Sequence, residues 1–217
     1  MREDIKVSVA GNMNVEYEFT QDWFQYGSQL WPNLTEHLPV HNNLHRFMEI
    51  GSFEGRSTVW IIENMMKAGD QLLCVDTWAG GEEHSTIDMV AVEQRFDRNI
   101  ARAKSKVPSI SVQKNKKNSA SALAHQMCWL DSGFQGYDYI YIDGSHQASD
   151  VLRDCVMAWE VLRPGGIMVM DDYLGGDPSM PLHRPKMAID AFMNISAPKM
   201  EILHLGYQIA VKKELPR

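Results

Sequence analysis

The chain reads as an α/β protein with a Rossmann-like, doubly wound sheet of seven strands, mostly parallel and closed by an antiparallel C-terminal hairpin. Three observations predict this. Short apolar runs alternate with longer amphipathic ones from Arg46 onward. The connections are long enough for crossover helices, which favours a parallel sheet covered on both faces. The last two apolar runs are joined by little more than Leu205-Gly206, so they must be antiparallel neighbours.

The expected strands are Arg46–Ile50, Gln71–Val75, Ser109–Gln113, Tyr137–Ile142, Ile167–Met170, Met200–His204 and Tyr207–Val211. Between them, helices are expected over Arg56–Lys67, Thr86–Lys104, Ser119–Leu130, Ala148–Leu162 and Pro185–Ile195. The clearest is Ala148–Leu162, where Val151, Leu152, Cys155, Val156, Trp159 and Leu162 share one face. Arg163-Pro164-Gly165-Gly166 then stops it. Residues 1–45 form an aromatic-rich segment, expected to cap the sheet, cover the site or join a subunit interface, with part of Asp22–Leu30 helical. Residues 46–217 form the α/β domain.

Composition narrows the function classes. At 217 residues and 24.7 kDa the chain supports one substantial core. A net charge of −7 and a pI near 5.6 give no general attraction for nucleic acid. Lys114-Asn115-Lys116-Lys117, the one basic stretch, is expected to be a solvated loop. Apolar runs as short as Ile167–Met170 cannot cross a bilayer, which needs about 20 residues, so no membrane partner is expected. Met1 to Lys6 carries acids and does not read as a signal peptide. Cys74, Cys128 and Cys155 sit in apolar-periodic segments without metal-ligand spacing, and fit reduced core thiols of a cytoplasmic protein. The 14 methionines are scattered and read as core filler.

The first strand runs into Glu49-Ile50-Gly51-Ser52-Phe53-Glu54-Gly55-Arg56-Ser57-Thr58. Ligands of open α/β sheets bind at the carboxyl ends of the strands. Gly51 permits a tight turn, and Gly55 permits close packing of the helix start. Ser57 and Thr58 can offer hydroxyls to free amides there. Phe53 stands where a dinucleotide loop needs its middle glycine, and no lysine follows Gly55 as a phosphate loop requires. Glu49 suits a cationic ligand. Asp76, ending the second strand, can accept hydrogen bonds from a ribose, or can simply cap the next helix.

With Glu49, Gly51, Gly55 and Asp76 in this order, the chain resembles class I S-adenosylmethionine-dependent methyltransferases. It is most similar to methyltransferase family 24, of the catechol O-methyltransferase-like group. The resemblance spans about Phe47 to Lys212. It also rests on Tyr137-Asp138-Tyr139-Ile140-Tyr141-Ile142-Asp143-Gly144-Ser145-His146 and Leu162-Arg163-Pro164-Gly165-Gly166-Ile167-Met168-Val169-Met170-Asp171-Asp172. It implies that Glu49, Gly51, Ser52, Phe53, Gly55 and Ser57 hold the methionine portion of the cofactor. It implies too that Asp76, with Thr77 and Trp78, holds the nucleoside, Trp78 stacking on the adenine or covering the pocket. Asn118 and Ser119 would lie near the adenine, and Asp143 would border the cofactor.

Asp143, Asp171 and Asp172 follow the fourth and fifth strands, which end on one sheet edge. Carboxylates so placed repel unless a proton or cation intervenes, and hard oxygen ligands suit Mg²⁺ or another divalent ion. The same acids could instead be a helix cap and turn residues. His146 stands in the segment where a related enzyme would offer a lysine base. An imidazole there can act as general base beside Asp143, bind metal, or cap a helix. Glu82, Glu83 and His84 read as an acidic surface loop with a solvent-facing histidine. Tyr173 to Pro185, rich in Gly and Pro, is the expected substrate loop. The expected activity is methyl transfer to an oxygen of a small molecule or sugar, by a protein able to form a homo-oligomer. Rival readings are a nicotinamide-dependent oxidoreductase, metal-assisted hydrolysis and a non-catalytic nucleoside-binding protein.

Overall fold

A computed structural model describes residues 17–41, 44–81 and 84–215. The opening residues Met1 to Lys6 and the acids Glu82 and Glu83 lie outside them. In chain order the elements are α1 (Gln25–Thr35), β1 (Arg46–Ile50), α2 (Arg56–Asn64), β2 (Gln71–Asp76), α3 (Met89–Lys106), β3 (Ser111–Lys116), α4 (Ser119–Leu130), β4 (Tyr137–Ile142), α5 (Ala148–Val161), β5 (Leu162–Met170), α6 (Lys186–Ser196), β6 (Met200–Leu205) and β7 (Ile209–Lys213).

The sheet order is β3-β2-β1-β4-β5-β7-β6. The first five strands in that order are parallel, and β7 runs antiparallel to both β5 and β6. Chain direction across the sheet reverses between β1 and β4, which opens a crevice at their carboxyl ends. One face packs on α4, α5 and α6 through Leu123, Val151, Cys155, Trp159, Ile189 and Phe192. The other packs on α1, α2 and α3 through Trp31, Ile61, Ile62 and Phe96. No described helix is long and apolar enough to cross a membrane.

The predicted third strand is displaced by two residues at its start. It runs through Lys114 and Lys116, so the basic stretch read as a solvated loop is largely an edge strand. Its lysines reach acids on α3: Lys114 pairs with Glu93 and Asp97 at 2.8 Å, and Lys116 with Glu93 at 2.5 Å. An edge strand needs only one apolar face, so charge did not prevent the pairing. Cys74 and Cys155 are buried, whereas Cys128 is exposed on α4, contrary to the expectation for all three.

Helix α1 continues past Pro32, beyond the expected Leu30. Trp31 explains this, because its ring is fully buried against Phe24, Trp60, Tyr139 and Tyr141. Its Nε1 donates to Gln208 Oε1 at 2.9 Å. Packing of this indole outweighs the hydrogen bond that Pro32 cannot make. Trp31→Ala is expected to destabilise the fold by about 3–5 kcal/mol, as for other large-to-small core changes. Trp23→Ala, at a ring 55% exposed, should cost about 1 kcal/mol, the value of its tilted ring contact with Phe53. Denaturant unfolding of both variants measures the contrast.

Candidate active site

Glu49, next to last in β1, has no exposed surface. Its carboxylate accepts hydrogen bonds from Ser52 Oγ at 2.7 Å, from Ser57 Oγ at 2.6 Å and from the Thr58 hydroxyl. Ser57 and Thr58 therefore do not cap the free amides of α2. They tie its first turn to β1. Burial raises the Glu49 carboxyl above its ordinary value, a push the three hydroxyls only partly offset.

Asp76 organises the same loop from the neighbouring strand. Its Oδ2 accepts from Ser52 N at 3.0 Å and Phe53 N at 2.9 Å, and its Oδ1 from Trp78 N at 2.7 Å. Asp76 is thus not a cap of the next helix, a role taken by Asp88 at the start of α3. Gly51 has φ +86°, and a Cβ there would lie 1.8 Å from the Asp143 carbonyl oxygen. Glycine alone lets the loops after β1 and β4 touch. Gly55, at φ +81°, turns the chain into α2. Phe53, Trp78 and Asp172, just beyond the ends of β1, β2 and β5, hold positive φ without being glycine. Backbone strain of this kind concentrates at functional sites.

Gly51, Ser52, Phe53, Ser57 and Asp143 line one cleft with Gln21, Trp23 and Arg56. The N-terminal segment therefore forms one wall of it. It is fastened there by Arg56 to Asp22 at 2.8 Å and by Thr20 N to Glu54 Oε2 at 2.6 Å. Trp23 and His84 both pack on the Phe53 ring, with centroids 4.9 and 5.3 Å away. The His84 ring is thus packed on an aromatic neighbour, unlike the solvent-facing histidine expected.

Three other expected cofactor residues carry structural duties. The Trp78 indole is only 4% exposed, packs on Phe96 and donates to the Phe53 carbonyl at 2.9 Å. It is a core ring, so stacking on an adenine is not available to it. Asn118 caps α4 through Ser121 N at 2.8 Å, and Ser119 Oγ donates to Asp154 at 2.8 Å. Neither contributes to the cleft beside Gly51. Thr77 is exposed and accepts from Ala79 N at 3.2 Å.

A second cleft is lined by Asp143, Gly144, Ser145, His146, Asp171, Asp172 and Pro185. Asp143 belongs to both clefts. His146 Nε2 lies 2.8 Å from Asp172 Oδ2, and Tyr207 donates to Asp172 Oδ1 at 2.7 Å. The Tyr141 hydroxyl lies between Asp143, at 2.9 Å, and Asp171, within hydrogen-bond reach of both, with one proton to share between them. Gln208 Nε2 donates to Asp171 at 2.7 Å. Burial and the charges of Asp171 and Asp172 push the Asp143 carboxyl well up. Burial, then Asp172, pushes Asp171 up to about 6. Burial also raises Asp172, but the His146 and Tyr207 contacts outweigh it and hold Asp172 below its ordinary value.

The expected metal set was Asp143, Asp171 and Asp172. Ligand atoms of Asp143, His146 and Asp172 instead come within 4.8 Å of one another. Asp171 is held beneath them by Tyr141, Gln208 and the Asp172 amide. Tyr141, Tyr207 and Gln208 are members of the site that the sequence does not single out. Tyr141 lies two residues before Asp143, on the alternate-residue face of β4. Tyr207 and Gln208 arrive because Met170 pairs with Ile209, so the turn before β7 must pass Asp171 and Asp172.

The chain belongs to methyltransferase family 24, whose methyltransferase-domain model matches residues 48–173. That family comprises class I S-adenosylmethionine-dependent enzymes. The "Uncharacterized protein R132" of Acanthamoeba polyphaga mimivirus is 29% identical over 127 residues, 58% of this chain and 51% of that protein. The chain thus spans about half the length of this relative. A Corynebacterium glutamicum crystal structure aligns at TM-score 0.61 and 19% identity, over 89% of this chain and 82% of that one. The O-methyltransferase TomG of Streptomyces achromogenes, solved with S-adenosylmethionine, aligns at TM-score 0.60 and 17% identity, over 88% and 80%.

The raised Glu49 carboxyl has a consequence for stability. A carboxyl whose folded pKa exceeds its unfolded one contributes stability below the unfolded value and loses it as pH rises through the folded value. Glu49→Gln cannot ionise. It should therefore gain stability relative to the wild type as pH rises from about 4 to 8. Denaturant midpoints of both proteins across that range test this, and a constant gap would mean that burial does not hold the proton on Glu49.

Proposed function

We propose that the protein transfers the methyl group of S-adenosylmethionine to an oxygen of a small molecule or sugar. The observation that carries this reading is the His146–Asp172 pair at the carboxyl edge, one cleft away from the Gly51 loop and joined to it by Asp143. Family membership favours methyl transfer over nicotinamide chemistry and hydrolysis, and the cluster of titratable groups favours catalysis over simple binding.

The residues present fit the cofactor. The carboxylates of Asp76 and Asp143 flank a loop in which Gly51 lets the backbone come close. Gly51, Ser52, Phe53 and Ser57 would hold the methionine portion, with Trp23 over the same cleft. Asp76 keeps the loop amides in place and has one acceptor site left, on Oδ1, for a ribose hydroxyl. The bound cofactor supplies an electrophilic methyl carbon on a sulfonium. The chain's own part is to align the acceptor and take its proton. With Nε2–H donated to Asp172, the basic lone pair of His146 is on Nδ1. The Asp172 carboxylate fixes that tautomer and stabilises the imidazolium formed as the hydroxyl is deprotonated. Tyr207 fixes Asp172 in turn.

A second reading is favoured by the convergence of Asp143, His146 and Asp172. These three would hold a divalent ion, which would acidify the acceptor hydroxyl. An imidazole in the set moves its preference from Mg²⁺ toward Mn²⁺ or Zn²⁺.

S-adenosylhomocysteine is expected to raise the Tm of the wild type while NAD does not, and Asp76→Ala should shrink that rise. His146→Ala should keep S-adenosylhomocysteine affinity and lose about 10²–10⁴-fold in single-turnover transfer. An unchanged rate would return His146 to a purely structural position. Exhaustive chelation separates the two readings: a metal-free wild type at full rate leaves His146 as base, whereas lost activity restored by Mn²⁺ supports the ion.

A further inference from the structure

We propose that Arg184 forms an anion-recognition site at the rim of the acid cluster, so that the acceptor carries a carboxylate or phosphate group besides the hydroxyl that reacts. This rests on the methyltransferase reading and adds to it the class of acceptor.

Arg184 is 9% exposed, a degree of burial that charged groups tolerate only when paired. The equally buried Arg163 shows what pairing looks like. It reaches Asp138 at 2.8 Å, His41 at 2.6 Å and the Gly136 carbonyl at 3.3 Å, with only its Nε unpartnered. Arg184 has no hydrogen bond or ion pair among the described residues, and its Nε is fully buried without an acceptor. Asp177 feels its charge, but the Oδ1 of that acid is engaged by the amide and hydroxyl of Ser179, each at 2.8 Å. With its Nε shut off from water and no partner among the described residues at its terminal nitrogens, this guanidinium calls for a partner from outside the chain at those terminal nitrogens.

Its position suits an acceptor. Pro185, the next residue, lines the cleft with Asp143, His146 and Asp172. Two adjacent glycines connect the two places. A Cβ on Gly175 would lie 3.0 Å from both Asp172 Oδ1 and the Tyr207 hydroxyl. A Cβ on Gly176, at φ +75°, would lie 2.9 Å from the Arg184 Cβ. The Gly175–Gly176 backbone thus runs between Asp172 and the Arg184 Cβ, with no side chain of its own in between. The acids accept hydroxyl protons but repel anions, and the whole chain carries a net charge of −7. An anionic group can dwell here only beside a local cation, and a guanidinium presents the fork that carboxylate and phosphate oxygens match.

Three sugars that differ in one substituent test this: glucose, glucuronate and glucose 6-phosphate, titrated by calorimetry into protein loaded with S-adenosylhomocysteine. Glucuronate or glucose 6-phosphate should bind at least about tenfold more tightly than glucose, as a charge-assisted pair implies. Whichever is tighter identifies the anion, and inorganic phosphate should compete. Arg184→Gln should remove the preference without changing S-adenosylhomocysteine affinity, and Arg184→Lys should keep part of it. Equal binding of the three sugars to the wild type, including none, combined with no competition by phosphate, overturns the proposal even if the variants fail to fold. So does a preference that survives in Arg184→Gln. Failure of S-adenosylhomocysteine to bind a protein that keeps an Arg184-dependent preference would overturn the methyltransferase reading and leave the anion site standing.

Discussion

Five carboxylates stand at or just beyond the carboxyl ends of adjacent parallel strands: Glu49, Asp76, Asp143, Asp171 and Asp172. Parallel pairing forces them onto one edge, where burial makes the charges of Glu49, Asp143 and Asp171 costly. Much of the local structure is the means of satisfying them. Ser52, Ser57 and Thr58 surround Glu49, and loop amides surround Asp76. Tyr141 bridges Asp143 and Asp171. The strained backbone at Phe53, Trp78 and Asp172 follows from the same demand, since the amides of Phe53, Trp78 and Asp172 each point at a carboxylate.

The support for this edge comes from both ends of the chain. From the N-terminal side, Trp31 donates to Gln208, and Gln208 donates to Asp171. Tyr26 stacks on Tyr207 at 4.4 Å, and Tyr207 donates to Asp172. Helix α1 and the turn before β7 thus meet over the acids. The aromatic richness of the opening segment has a physical purpose here: flat, rigid rings fill the space beside the sheet while their polar edges supply donors. Trp23, more than half exposed, packs on the Phe53 ring beside the Gly51 loop.

The acids are not equivalent, which decides the chemistry. Asp171 is fully engaged from three sides, so it contributes charge and support to the cluster. Asp172, paired with His146, keeps its carboxylate ionised. Asp143, with burial and two like charges against it, is the member most dependent on a proton or a cation. One cluster can thus offer an imidazole base oriented by an anion, or three converging ligand atoms. Across the glycine pair from this negative charge stands Arg184, placed there by its Cβ.

The sequence by itself determined the α/β alternation, the reversed last strand, the Glu49–Gly55 loop with Asp76, and the placement of Asp143, His146, Asp171 and Asp172 beyond two strand ends. These are local signals: periodicity, strand boundaries and turn residues act over a few positions. Tertiary structure alone decided which of those groups meet. It put Trp78 in the core, Asn118 and Ser119 on helix contacts, His84 on Phe53, and His146 rather than Asp171 among the converging ligand atoms. It also supplied Tyr207 and Gln208, because the register of β7 against β5 fixes which turn residues pass the acids. Register and side-chain direction depend on packing between distant segments, as do the orphaned Arg184 and the buried Trp31, and no spacing along the chain encodes them.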